Sequence, residues 1–376
     1  MKKSYLLLLI LFSCVGKSAI EQDIIEIDIS YDKEYLSELS DFFTSIEYIL
    51  LEDSDENHLV QPYKIISYDT LIFVEDQELD NLLIYNRLGK FLFALKSSGG
   101  GPQEFNQIED FQVFENSIII KDNVLMKFIE FDFSGKFIQE FRHQLLSMNF
   151  IKTQRYQLHF FNNVIQNEPF NFLRINESDS TYEIPIQEGY EGMVLVHQNG
   201  FTHSKNGLSS YLSLPFSYDV FQFSSDGEFQ KRLRFNLNAI GLSDEERLKV
   251  EKEKKEPAHN EFALMIRSFF PVNNGFFFNY TSNLEKTYLG FLDANYKLTK
   301  ISINPTNDLD GVPLIFVPWS YHENGLILKI PSRRFAQLVK NRRPSSEMKS
   351  NLVSFLESHT GELSSDRHVL VYLNQK

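Results

Sequence analysis

The feature that most narrows what this chain can fold into is a repeat with a period of 46 residues. Two turns carry it, Arg87-Leu88-Gly89-Lys90 and Phe133-Ser134-Gly135-Lys136, with Gly89 and Gly135 46 positions apart (135 minus 89). The next step of the period falls on Thr181, just past the polar run 176–180, and the one after on Gly227 in Ser224-Ser225-Asp226-Gly227. Each turn separates short runs rich in Ile, Phe, Val and Tyr, which is the signature of strands joined by hairpins. Glycine supplies the positive φ that a tight hairpin needs. A period of about 40–50 residues built from four short strands marks a propeller blade. A long antiparallel sandwich is the alternative, but sandwiches seldom keep a fixed period.

Laid along the chain, the template predicts strands at 65–69, 71–76, 82–87 and 91–96, then at 110–115, 118–122, 126–132 and 137–142. The third unit falls at 149–152, 156–161, 171–175 and 182–186, and the fourth at 192–197, 201–203, 218–223 and 229–235. A fifth occupies 267–272, 275–280, 287–292 and 298–303. The sixth has only 315–321, 325–330 and 368–373, while residues 45–52 form a strand with no unit of their own. Pairing 45–52 with 368–373 completes the sixth unit and leaves no open sheet edge. The expected fold is all-β: a six-bladed β-propeller with four-stranded antiparallel blades. Helical insertions are expected near 241–265, where Ser243 and Glu246 form a capping-box pair, and near 332–358. Both leave from the same face of such a ring.

A chain of 376 residues without an evident linker suits a closed array of repeats better than one ordinary core. Its 35 Phe and 17 Tyr suit gaps between stacked sheets. The net charge of −14 argues against a nucleic-acid partner and against adsorption on anionic lipid by charge alone. The beginning, MKKSYLLLLILFSC, has two lysines and an apolar run too short to span a bilayer, as in a secretion signal. Removing Lys2 and Lys3 with it makes the charge −16 (−14 minus 2). The only cysteine, Cys14, follows the run directly, so Leu11-Phe12-Ser13-Cys14 reads as a lipidation site at the new N-terminus. The alternative is a soluble secreted protein that discards Cys14 with its leader. The expected organisation is a signal peptide at 1–13, an acidic tether at 14–44 and the propeller at 45–376. With no other cysteine, an intrachain disulfide and a thiol catalyst are excluded.

The sequence resembles the six-bladed β-propeller lipoproteins of Bacteroidota, of the NHL- and TolB-like kind. The likeness is carried by Ile46-Glu47-Tyr48-Ile49-Leu50-Leu51-Glu52, by Asn86-Arg87-Leu88-Gly89-Lys90-Phe91, and by Gly99-Gly100-Gly101-Pro102-Gln103-Glu104-Phe105 with Ile108 and Asp110-Phe111. Val369-Leu370-Val371-Tyr372 matches near the end, whereas Asp366-Arg367-His368 departs from the Asn-Pro segment common there. The resemblance implies the fold and an outer-membrane lipoprotein, periplasmic or surface-facing. It implies no particular activity.

Few residues announce chemistry. Asp76, Asp80 and Asp122 offer carboxylates for a cation, or simply satisfy turn amides; their spacing matches no calcium loop. Arg267, Arg333 and Arg334 offer bidentate recognition of a carboxylate, and Trp319 a platform for a sugar. Ordinary ion pairs and core packing are the plainer account of all four. The glycines at 99–101 lack the Lys-Ser/Thr ending of a phosphate loop and read as a tight crossing between blades. The nine histidines, among them His143 with His159 and His197 with His203, show no metal-ligand spacing. No cofactor motif or catalytic constellation is legible. The expected function is a non-catalytic binding propeller whose ligand is a glycan, a peptide or an envelope protein, held on the face with the insertions. A lyase or hydrolase with a polar site at the channel mouth is the alternative. An apolar rim would favour the first, clustered carboxylates at the axis the second.

Overall fold

The computed structural model describes residues 23–29, 37–54, 57–195, 200–204, 207–254, 257, 261–283, 286–342 and 350–375. Cys14 and the apolar leader lie outside these residues.

Two strands, β1 (Ile24–Asp28) and β2 (Phe43–Leu50), precede the first blade. Blade one is β3 (Pro62–Tyr68), β4 (Leu71–Asp76), β5 (Asn81–Asn86) and β6 (Phe91–Lys96); blade two is β7 (Asp110–Phe114), β8 (Ser117–Asp122), β9 (Lys127–Asp132) and β10 (Phe137–Arg142). Blade three is β11 (Asn149–Lys152), β12 (Gln157–Phe160), β13 (Phe170–Ile175) and β14 (Ser180–Pro185); blade four is β15 (Phe201–His203), β16 (Ser209–Ser213), β17 (Asp219–Ser224) and β18 (Phe229–Asn236). Helix α1 (Asp244–Glu253) follows, then blade five: β19 (Ser268–Val272), β20 (Gly275–Ser282), β21 (Lys286–Asp293) and β22 (Leu298–Ile303). Blade six is β23 (Ser320–His322), β24 (Gly325–Pro331), β25 (His368–Gln375) and, outermost, β2; helices α2 (Ser332–Lys340) and α3 (Ser350–Ser358) interrupt it. The molecule is a six-bladed β-propeller.

The ring closes as the sequence requires. β2 runs antiparallel to β25, with Ile46 opposite Leu373, Tyr48 opposite Val371 and Leu50 opposite Val369. The joined strands are Phe43–Leu50 and His368–Gln375, against the expected 45–52 and 368–373.

Burial explains the sequence of each strand. A second strand is covered on both sides by neighbouring blades, so it reads as an unbroken apolar run: Leu71-Ile72-Phe73-Val74 in blade one, Gly325-Leu326-Ile327-Leu328 in blade six. Fourth strands are covered on one side and alternate; in β10 most side chains are exposed. Six apolar clusters result, one at each blade junction. Burying one aromatic or aliphatic side chain contributes roughly 1.5–3 kcal/mol, so each junction is a substantial share of the fold's stability. The junction of blades two and three is the smallest, built on Ile119, Phe128 and Phe150.

The repeated turns share one chemistry. The Asn86 side chain accepts from the amides of Leu88 and Lys90, Asp132 from Ser134 and Lys136, and Asp293 from Asn295 and Lys297. Gly89, Gly135 and Gly227 have φ of 79°, 81° and 89°; in blade five Tyr296 takes that place at 62°.

Three expectations need correcting. Blade four uses Phe201–His203 as its innermost strand rather than 192–197, and its second strand is Ser209–Ser213. That strand, Ser-Ser-Tyr-Leu-Ser, is mostly buried, but its serines read as a turn. Residues 196–199, including His197, lie outside the described set. Of the strand expected at 315–321, only Ser320–His322 pairs. Finally, the part of the expected tether that is described packs against the ring. β1 runs parallel to β18 as a fifth strand of blade four, and residues 37–42 lie along blade five, where Leu39 donates to the Thr306 carbonyl. Ile27, Ile29, Leu39 and Phe42 are buried there, four apolar side chains that a solvated tether would leave wet.

Candidate functional site

Connections between second and third strands, and between successive blades, leave the ring on one face. α1, α2 and α3 all lie in such connections, so both insertions share that face. α1 opens with the expected capping box: Ser243 accepts from the Glu246 amide and Glu246 from the Ser243 amide. α2 and α3 seal the outer end of blade six, where Phe335 and Phe355 pack on Tyr48.

The same face carries exposed apolar side chains. Of 14 large hydrophobic side chains exposed among the described residues, eight sit in its connections. Val60, Leu79, Val124 and Leu146 lie around blades one and two, Ile165 and Val194 around blade three, and Ile315 and Val317 before blade six. The opposite face has three, Tyr68, Leu88 and Leu208, and the outermost strands have Ile24, Leu92 and Ile138.

At the inner strands, polar side chains stitch blade one to two, two to three and six to one. Lys64 donates to an Asp110 oxygen at 2.7 Å and to the Phe111 carbonyl, while the other Asp110 oxygen accepts from the Phe150 amide. Gln112 holds both backbone groups of Lys152, and Ser320 reaches the Ile65 carbonyl. Tyr321 spans further: its hydroxyl lies between the His203 amide and carbonyl, tying blade six to blade four past blade five. This side chain narrows the axis towards the face opposite the insertions.

Among the described residues, one carboxyl in this network, Glu75, has no hydrogen-bond partner. A bulge in β3 sets Tyr63 and Lys64 opposite Glu75, since Pro62 pairs with Asp76 and Ile65 with Val74. Lys64 spends its ammonium on blade two, and Glu75 is only 3% exposed. Burial drives its pKa well up; Lys64 opposes the shift and Asp110, Asp80 and Glu109 add to it. Burial therefore favours the protonated form of Glu75. Glu109 and Asp80 are raised for the same first reason, burial. Lys121 is pushed down to about 8 by burial, against the pull of Glu109, Asp110 and Asp122; it donates to the Ser147 carbonyl. Among the described residues no group of three or more His, Cys, Asp or Glu is placed to hold a metal ion.

The residues singled out from sequence do not converge. Asp76 accepts from the amides of Val60, Gln61, Glu78 and Leu79, and Asp122 from Asn106, Gln107 and Leu125. Val60 and Gln61 stand 46 residues before Asn106 and Gln107, so the two aspartates are one clamp, repeated, holding the chain as it enters each blade. Asp80 does related work, accepting from the Ile108 amide. Trp319 donates to the Tyr63 carbonyl, and the Lys329 ammonium sits 3.4 Å above its ring centre, covering one face. Arg333 pairs with Asp366 and the Ser364 carbonyl, and Arg334 with Gln337, both on the exposed side of α2. Arg267 is exposed at the start of blade five. Glu75 and Lys121 were missed, yet a signal existed. They occupy equivalent positions 46 apart, each just before a clamp aspartate at the end of an apolar run.

A cleft of about 570 Å³ opens at the outer edge of blade four, under the N-terminus of α1. Its charges balance: Arg232, Arg234 and Arg247 face Asp219, Asp244 and Glu26. Asp219 takes both Arg232 and Arg234, and Arg247 lies over the Tyr218 ring at 4.2 Å. The cleft lies on the insertion-bearing side, away from the axis.

Fold and face together define a closed six-bladed propeller with an insertion-bearing face and a narrowed axis. A family model described as a domain of unknown function, DUF4934, matches residues 22–362, and the chain belongs to that family. Among solved structures, a Bacteroides fragilis protein described as exported superposes with a TM-score of 0.67 at 14% identity, covering 94% of this chain and all of its own. A DUF4221 family member from Bacteroides vulgatus gives 0.50 at 9% identity, with 89% and 97% covered. Such identities speak for the fold alone. No curated protein matches the chain by sequence.

Proposed function

We propose that this is an exported, lipid-anchored propeller that binds a partner protein of the cell envelope on its insertion-bearing face. One observation carries the reading: the connections of that face bring three helices and eight exposed large hydrophobics to one side of the ring, among them Val124, Leu146 and Ile165. Loops and insertions gathered on one face of a rigid scaffold are where partners bind. The leader sequence, the lone Cys14 behind it and the exported description of the Bacteroides fragilis relative support the compartment. The anchor is tested by feeding an acyl-chain analogue: label enters the natural chain and is absent from Cys14→Ser.

The partner is tested by crosslinking in native envelopes. The natural chain and Leu88→Asp, on the opposite face, capture the same protein; Val124→Asp/Leu146→Asp/Ile165→Asp loses it. Unchanged capture by the triple variant refutes the reading. A second reading, an enzyme with its site at the channel mouth, draws on Glu75, buried opposite Lys64 with its pKa driven well up by burial. Turnover of a glycan or peptide library that disappears in Glu75→Gln, without any captured protein, would decide for it.

A further inference from the structure

We infer that the anchored molecule rests on the bilayer with the face opposite its insertions, so that the insertion-bearing face points away from the membrane. The inference builds on the lipid-anchor reading above and adds an orientation to it. It comes from the direction of β1. β18 runs towards the insertion-bearing face, because α1 follows its end. β1 lies parallel to β18, with Ile24 opposite Arg232 and Asp28 opposite Asn236, and the Asp23 carbonyl accepts from the Arg232 amide. The N-terminal end of β1 therefore lies towards the opposite face.

Reach decides the matter. Nine peptide steps from Cys14 to Asp23 span at most about 31 Å when fully stretched. A bilayer under the opposite face lies on the side of that end. One over the insertions would require doubling back along about 17 Å of β18 and then clearing the thickness of α1, about 10 Å, which uses most of the tether.

The opposite face carries side chains on which contact with a lipid surface can be read. The third-to-fourth-strand turns place Lys90, Lys136 and Lys297 there, all exposed, at equivalent points of three blades. The carboxylates nearest two of them, Asp132 and Asp293, are occupied by their own turn amides. Leu88, 82% exposed, stands at a turn tip on this side, and Leu208, 60% exposed, between the two innermost strands of blade four. This face also carries the exposed carboxylates Asp69, Glu115, Glu177, Asp179, Asp226 and Glu323, and the net charge is −14, so charge does not draw the protein to anionic lipid; the acyl chain holds it, and the direction of β1 sets how it stands.

The test needs no substitution. The chain starting at Cys14 is coupled through that thiol, the only one in the sequence, to phosphatidylethanolamine–phosphatidylglycerol liposomes carrying a maleimide lipid. Lysine acetylation is then compared by mass spectrometry between free and tethered protein. The expected result is several-fold protection of Lys90, Lys136 and Lys297, with Lys249, Lys252 and Lys340 on α1 and α2 unchanged. The reverse pattern, equal protection of both sets, or protection of neither overturns the orientation. Because the link is chemical, this result does not depend on acylation in the cell, which the acyl-analogue experiment decides separately.

Discussion

Glu75 and Lys64 show how much one bulge can redistribute. Lys64 lies opposite Glu75, but its ammonium crosses to Asp110, and burial drives the Glu75 pKa well up. Two substitutions separate these roles. Lys64→Met strands a buried carboxylate and should cost about 3 kcal/mol in urea unfolding at pH 7. Glu75→Gln keeps the shape and neutrality of the protonated group and should change stability by less than about 0.5 kcal/mol. Equal losses in the two variants would mean that Glu75 is ionised. The clamp aspartates are a third case. Asp76→Ala frees four amides at the entry to blade one and should cost about 3 kcal/mol or more. From sequence, Asp76 and Asp122 were legible as ends of strands; which amides they hold was not, because the partners lie in a connection about 15 residues upstream.

Among the elements, ring closure and the added strand make different predictions. β2 supplies the outer strand of blade six, so a chain beginning after Leu50 lacks the closure and should fail to give a cooperative thermal transition. A chain beginning at residue 37 loses only β1 and its packing on blade four; it should still fold, with a lower melting temperature. If both truncations melt alike, β2 does not close the ring. The closing sheet also depends on Gly325, where a Cβ would stand 1.9 Å from the Leu373 carbonyl oxygen. Gly325→Ala should therefore destabilise far beyond the roughly 1 kcal/mol that separates Gly from Ala in ordinary strands, measured by the same melting experiment. Blade four was the least legible unit. Its second strand is serine-rich and its first has three residues, so neither period nor hydropathy marked them.

For the whole molecule, acid stability turns on buried histidines. His159 is pushed down to about 3 by burial first and Lys121 second; His143, His203, His322 and His368 fall to about 4, burial leading in each. A depressed folded pKa contributes stability that is complete above the unfolded value, about 6.5, and is lost as pH falls towards the folded value. Glu75, Glu109, Glu183 and Asp80, raised by burial, work the other way, losing stability as pH rises above about 4.5. The cleanest reading is a difference. His159→Gln should be costly at pH 7.5 and less so at pH 5, by about 2 kcal/mol, since the natural chain alone holds that imidazole neutral in acid. A pH-independent difference would place His159 in water.

The 46-residue period, the apolar second strands and the turn chemistry were sufficient by themselves for blade architecture, blade count and the pairing of the two ends. These are local and periodic properties, written in neighbouring residues and repeated. What only the tertiary structure decided is everything that depends on one blade meeting another: that Lys64 serves Asp110 rather than Glu75, that Tyr321 reaches blade four, that β1 lies parallel on blade four and so has its N-terminal end towards the face opposite the insertions. Such contacts join residues far apart in sequence, whose distance is set by the ring as a whole and leaves no periodic mark in the chain.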